Sequence, residues 1–318
     1  SQTFAQRVLD YFLSHRTKPL SLLFAIPDHP WVDAKDGAAV RIAMTVAAPG
    51  KREGRLMTVI HEDKEDREAE GRRVVLQERA GAIFANLQTG VNTASAVQLR
   101  SNEALAHQGI IPVGEGFRIT AAEASQKFSN EIKSGILRPY INGRQLTNNE
   151  QHEFIVDFFG MSAAEAEQAS PELMQRVRDL VKPQRDSVNR ASHRDRWWIF
   201  GEPRSRMRPA LNSIRRFIAT CRTSKFRTFS FLESNFLPDT KIVAIALQGG
   251  EHLATLSSRI HTCWAMNTGG WLGVGNDSTY NHSACFNAFP FPEPTPQQTE
   301  HLRALGEALD AHRKARQV

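Results

Sequence analysis

Apolar and polar positions along the chain switch repeatedly between a helical and a strand period, and each switch marks an element. Residues 1–17 read as a helix with Phe4, Val8, Leu9 and Phe12 on one face. Leu20–Ile26 (LSLLFAI) and Ala38–Ala47 (AAVRIAMTVA) are two apolar strands joined by PDHPWVDAKDG, a pattern that predicts a hairpin at a sheet edge. A strand over Arg55–Ile60 and a charged run follow, then strand and helix segments over Val74–Leu87 and Asn102–Gly109. GIIPVGEGFRIT (Gly109–Thr120) predicts two short strands about a glycine turn, Asn142-Gly143 a turn, and Phe154–Phe158 a compact strand.

Ser162 with Glu165 three residues on forms a capping box that opens a helix to Ala169, and Pro171 starts another that runs to Pro183. Phe217–Cys221 and Lys241–Gln248 are buried strands, and Leu256, Ile260 and Trp264 share one helix face that ends at Gly269-Gly270. A loop of small polar residues follows, Gly273–Asn281, closed by Phe286, Phe289 and Phe291 as anchors. Pro296–Lys314 is a last helix with a stripe of Leu302, Leu305 and Leu309. The order of elements is that of an α+β protein.

The 318 residues, 41% hydrophobic and 23% charged, suffice for one large or two smaller cores. No run of about 18 apolar residues occurs, and no membrane partner is expected. Cys221, Cys263 and Cys285 are widely spaced and odd in number, which favours a reducing compartment over a zinc site or a disulfide framework. The net charge of +6 is concentrated. Between Arg176 and Arg227 fifteen basic residues face four acidic ones, thirteen of the fifteen being arginine. Such a block is the footprint of phosphate binding, or alternatively a solvated face with helical ion pairs.

Within that block Thr223, Ser224, Lys225 and Arg227 follow a strand and make a candidate phosphate clamp. Arg144 is a further candidate, with pairing to Asp157 as the equal alternative. Trp197 and Trp198 cannot point the same way, so one is expected in the core and the other exposed or against a neighbouring loop. In the polar loop Asn276, Asp277 and Ser278, backed by Thr279 and Trp271, carry the amide, carboxylate and hydroxyl groups that can bond base edges. Asp28, His29 and Asp33 are read as satisfied loop polar groups, and no catalytic or metal site is assigned.

Three stretches resemble one family. WAMNTGGWLGVGNDSTYNHSACFNAFPFP (Trp264–Pro292) is similar to the end of the target-recognition domain in the long N6-adenine DNA methyltransferases of bacterial restriction–modification and phage defence, the Mme-type enzymes among them. LRPYINGRQL (Leu137–Leu146) resembles the opening of that domain, and WWIFGEPR with RFIATCRTSKFR its middle. DHPWVD and AAVRI resemble the closing strands of the methyltransferase core.

The resemblance implies the terminal β-hairpin of a methyltransferase core over 1–80, a mixed α/β DNA target-recognition domain over 81–293 and a C-terminal helix over 294–318. It implies a cytoplasmic, nucleoid-associated parent enzyme that uses S-adenosylmethionine, with double-stranded DNA and other defence subunits as partners. Trp31 takes the place of an aromatic that stacks on a flipped adenine, unless it packs over the hairpin. The Asn-Pro-Pro motif and the cofactor's glycine turn do not occur in these residues, so this segment is expected to bind no cofactor and to be inactive alone. A protein-assembly module of a defence complex and a general nucleic-acid-binding domain are the alternatives.

Overall fold

The computed structural model describes residues 2–31, 41–62, 73–90, 92–148, 153–272 and 277–316. The chain forms two compact units, Ser1–Val97 and Gln98–Val318. The expected boundary at residue 80 falls inside a strand, Val74–Gly81, of the first unit.

In the first unit helix α1 (Gln2–Leu13) precedes a four-stranded sheet of β1 (Leu20–Pro30), β2 (Arg41–Pro49), β3 (Gly54–Glu62) and β4 (Val74–Gly81), in the order β2-β1-β3-β4. The expected hairpin is present: β1 and β2 pair antiparallel from Leu20↔Pro49 to Pro30↔Arg41. β1 continues past Ile26 because Asp28 is held by Arg41 across the pair at 2.7 Å. Leu22, Ala25, Leu56 and Ile83 form the core, and α1 covers it with Leu9 and Leu13. Val8 and Phe12 are exposed, so the buried face of α1 is rotated from the expected one.

The second unit is built on two four-stranded sheets. One runs β11 (Ser230–Glu233), β9 (Arg216–Cys221), β13 (Ile242–Ile245), β5 (Ala106–Gln108). The other runs β12 (Leu237–Pro238), β7 (Leu137–Ile141), β8 (Glu153–Val156), β6 (Arg118–Ile119). Strands β9 and β13 are almost wholly buried, as continuous apolar runs should be. One core gathers Phe117, Leu137, Ile155, Phe158, Val177 and Phe217, and a second gathers Phe229, Ile245, Leu253, Leu256, Tyr280 and Phe286. Of GIIPVGEGFRIT only Arg118–Ile119 forms a named strand; Ile110 and Ile111 make isolated bridges and Glu115–Phe117 a 3-10 turn.

Helix α2 (Ala121–Lys127) and helix α3 (Ser129–Ser134) precede β7. Asn142-Gly143 starts helix α4 (Gly143–Asn148) instead of a plain turn. The Asn142 side chain accepts from the backbone N–H groups of Arg144 and Gln145, and Gln145 Oε1 accepts from Asn142 N, a reciprocal cap. Helix α5 (Ala163–Ala169) carries the predicted Ser162–Glu165 capping box, and helix α6 (Pro171–Leu180) has its proline at the first turn. Two short helices, α7 (Lys182–Asp186) and α8 (Ala191–Asp195), and then α9 (Met207–Asn212) follow, carrying Lys182, Arg185, Arg194 and Arg208 of the basic block.

The single helix expected across Leu256–Trp264 is two, α10 (Gly250–Ser257) and α11 (Arg259–Thr268). Ser258 breaks it by turning extended and accepting the His261 N–H at 3.2 Å, which leaves Ile260 exposed. The final helix α12 (Pro296–Arg316) lies against α10, closely enough that a Cβ on Gly306 would enter the Gly250 carbonyl. No helix among the described residues is long and apolar enough to cross a membrane.

Candidate nucleic-acid interface

The polar loop near the C-terminus and the polar end of β9 meet in a third sheet. Strand β10 (Thr223–Ser224) pairs antiparallel with β15 (Asp277–Thr279), through Thr223↔Thr279 and Ser224↔Ser278. β15 pairs in turn with β14 (Gly270–Leu272), through Gly270↔Thr279, Trp271↔Ser278 and Leu272↔Asp277. The expected irregular loop is therefore the hairpin β14–β15, and Gly273, Gly275 and Asn276 at its connection lie outside the described residues. Gly269 permits the hairpin, since a Cβ there would collide with the Thr279 carbonyl oxygen.

The small sheet is stitched to the core at its base. Arg222 N donates to Lys241 O at 2.7 Å and Tyr280 N donates to Arg222 O at 2.6 Å. Beneath it lies an aromatic floor of Phe229, Tyr280, His261 and Phe289, with the His261 ring 4.4 Å from Phe289 and its Nε2 2.9 Å from the Tyr280 hydroxyl. Burial, with a smaller contribution from Arg227, pushes His261 down to about 3, and burial raises Tyr280. The terminal FPFP segment is anchored by Asn102, whose buried amide donates to Phe286 O at 3.1 Å and Phe289 O at 2.7 Å. Asn102 carried no sequence signal: an isolated Asn beside a small apolar segment is recognisable as a clamp only once its partners are in place.

The side chains of this sheet divide by role. Thr223 and Lys225 are exposed, and Phe226 at the tip of the turn is 70% exposed with Lys225 Nζ 5.6 Å from its ring. The Ser224 hydroxyl closes that turn by donating to Phe226 O at 2.8 Å. Arg227 departs from its expected place in the phosphate clamp. Its guanidinium donates to Cys221 O, to Thr220 Oγ1 at 3.2 Å and to Ser278 O and Oγ at 2.9 and 3.1 Å. Both terminal nitrogens are committed inside the protein, and desolvation lowers the Arg227 pKa.

Ser278 likewise departs from the base-reading set, being buried, with its Oγ donating to Ser224 O at 3.1 Å. Thr279 Oγ1 accepts from Gly270 N at 3.0 Å. Asp277 is half-exposed, Trp271 is placed by its backbone in β14, and Asn276 lies outside the described residues. Arg144 is exposed on α4, which packs beside β9, with the Cys221 thiol donating to Gly143 O at 3.3 Å. It does not pair with Asp157, which is taken by Arg208 at 2.6 and 3.0 Å. Trp31 follows β1 in the first unit and is about half exposed.

Much of the basic block is structural. Arg185 is buried on the carbonyls of Val113 and Pro112, Arg176 reaches those of Gly116 and Arg118, and Arg216 pairs with Glu307. Arg178 pairs with Glu167 and lies over the Trp197 ring; Trp197 and Trp198 are both half-buried against the first core, and the Trp198 indole N–H donates to the loop carbonyl of Met161 at 3.0 Å. Among the described residues Arg196, Arg206, Arg215 and Lys225 are exposed without an ion pair or side-chain hydrogen bond to protein. No group of three His, Cys, Asp or Glu among the described residues is placed to hold a metal ion.

The family model for the MmeI target recognition domain matches residues 95–293, a span that contains all three sheets of the second unit. The chain belongs to the MmeI target recognition domain family. Among solved structures it is similar to the type IIL restriction–modification enzyme MmeI in complex with DNA, with a TM-score of 0.70 at 18% identity over 93% of this chain. The chain covers 38% of that enzyme. The type IIG restriction endonuclease BpuSI aligns over 95% of the chain with a TM-score of only 0.35 at 9% identity, too low to imply a shared fold. No curated protein sequence matches the chain. Within the MmeI domain boundaries fall Arg144, the clamp residues and the whole β10–β15–β14 sheet, whereas Trp31 lies outside them.

Proposed function

We propose that this chain recognises a specific sequence in double-stranded DNA, as the target-reading part of a larger restriction–modification or phage-defence enzyme. One observation carries the reading. In a chain of the MmeI target recognition family, β10 and β15 set exposed Thr223 opposite Thr279 and Ser224 opposite Ser278, with exposed Lys225 and half-exposed Asp277 next along their chains, although more than fifty positions separate the two strands. Cationic and hydroxyl groups suit phosphate, and the adjacent carboxylate and hydroxyl suit base edges, so register and readout share one rigid platform. The solved relative was captured with DNA, which supports the same partner here.

The parent enzyme would be an adenine-N6 methyltransferase, with Trp31 stacking on the extruded base. Its methyl donor would be S-adenosylmethionine. The first unit joins β1 to β2 and pairs β3 with β4 antiparallel, and no strand, glycine turn and helix among its described residues offers that cofactor a cradle. Selection from a random duplex pool at two salt concentrations tests the reading. An enriched short motif whose binding falls steeply with salt supports it, and salt-insensitive or absent binding overturns it.

A further inference from the structure

The edge strand β5 carries His107, whose Nε2 lies 2.8 Å from Ala104 O. Two arginines dock on the carbonyls flanking this strand. Arg204 Nε donates to Gly109 O at 3.1 Å, and Arg222 Nη1 donates to Thr240 O at 3.3 Å, the same oxygen that the Gln108 amide reaches at 3.2 Å. The bond from Tyr280 N to Arg222 O then delivers His282 two residues later, on a π-helical turn, His282–Phe286, that packs against β5. Exposed Arg206 is close enough to oppose protonation of His107, and His107, Arg222 and Arg204 oppose that of His282.

Two acidic groups nearby have other partners as well. Glu202 lies 3.9 Å from Arg204 but is bonded to Arg190 at 3.0 Å, and Asp239 is occupied by the Tyr140 hydroxyl at 2.6 Å and by Lys241 N at 2.8 Å. Glu103 and Lys241 are the exposed charges on the neighbouring segments. Five cationic or protonatable side chains from four separate stretches thus converge on one edge, and none of them is among the clamp or base-reading residues singled out above. Like charges gathered this way repel, and a folded chain keeps them together at a cost that an anion removes.

We infer that His107, His282, Arg204, Arg206 and Arg222 form a binding site for a backbone phosphate of duplex DNA. The site rests on the reading of the chain as a DNA-recognition domain and adds to it a backbone contact that takes up protons. Burial first, and the neighbouring cations second, hold both imidazoles below their ordinary pKa, so they are largely neutral in the free chain near neutral pH. A bound phosphate favours the charged form and raises both. Affinity therefore grows as pH falls, and the gain is lost as pH rises through the bound-state pKa values.

The test is fluorescence anisotropy of a labelled random-sequence duplex titrated with the whole chain between about pH 6 and pH 8. The unmodified chain is expected to bind several-fold more tightly at the acidic end. The double variant His107→Gln, His282→Gln should lose that pH dependence, and Arg206→Ala should make the salt slope shallower by about 0.9. NMR titration of the two imidazoles should show both pKa values rising when duplex is added, and that of His107 rising in free Arg206→Ala. Duplex binding with the same pH dependence in the double variant, or imidazole pKa values unmoved by duplex, overturns the site while leaving DNA recognition intact. Absence of duplex binding at every pH overturns both.

Discussion

The Arg227 guanidinium donates to the carbonyl oxygen of Ser278 at 2.9 Å, so a residue of the basic block supports the β14–β15 hairpin. Its other bonds, to Thr220 Oγ1, Cys221 O and Ser278 Oγ, join β9 to β15 and hold the small sheet against its aromatic floor. Arg227→Ala is accordingly expected to act through geometry. It should cost roughly 1.5–3 kcal/mol of stability, the range for hydrogen bonds to a charged group, and it should blur sequence preference. Arg227→Lys should restore little, because an ammonium cannot span the same fork of acceptors. Urea denaturation together with motif selection checks both effects.

Lys225 is expected to behave in the opposite way. It is exposed on the turn after β10, and its contact within the chain is the Phe226 ring. Lys225→Ala should weaken every duplex alike and make the slope of log affinity against log salt shallower by about 0.9. Stability should change by less than about 0.5 kcal/mol, as for other surface substitutions. Salt-dependent anisotropy on two unrelated duplexes measures it.

The buried pair of Asp157 and Arg208 holds α9 against β8, with Arg138 a further 3.7 Å from the same carboxylate. Asp157→Ala would leave Arg208 buried without its counter-charge, at a cost of about 3–5 kcal/mol. The midpoint of denaturation should fall accordingly while the slope of the transition stays unchanged.

Acid should loosen the aromatic floor under the β10–β15–β14 sheet. His261 is fully buried and its pKa is pushed down to about 3, so the folded chain keeps it neutral where the unfolded chain protonates it. Stability from this group is present above the unfolded pKa of about 6.5 and is lost toward acid at up to about 1.4 kcal/mol per pH unit. His261→Gln should lower stability at neutral pH, since the Tyr280 hydroxyl is a poorer match, and it should flatten the acid limb. Denaturation curves collected across that window test the sign.

Local features of this chain were legible because neighbours in sequence decide them. Ser162 and Glu165 cap a helix by reaching each other across three residues, and the apolar runs in β9 and β13 could only be buried strands. The FPFP segment likewise packs where its rings required. What sequence could not supply was pairing at a distance. Nothing local indicates that Thr223 lies opposite Thr279, or that Ser258 divides one helix into two and turns Ile260 outward. Counting charges misled for the same reason. Arg176, Arg185 and Arg227 find their partners among backbone carbonyls, which every residue carries and no composition reveals.

If the β10–β15–β14 sheet reads bases, Asp277 is the half-exposed carboxylate it presents to them. The direct measurement is selection from a random duplex pool by the unmodified chain and by Asp277→Ala in parallel, with affinities taken on each winning sequence. For a base-reading sheet the variant should enrich a motif relaxed or altered at one base pair, with about 1–3 kcal/mol less discrimination there and near-normal affinity for its own winner. The same motif from both chains, with affinity lowered equally on all duplexes, would contradict it.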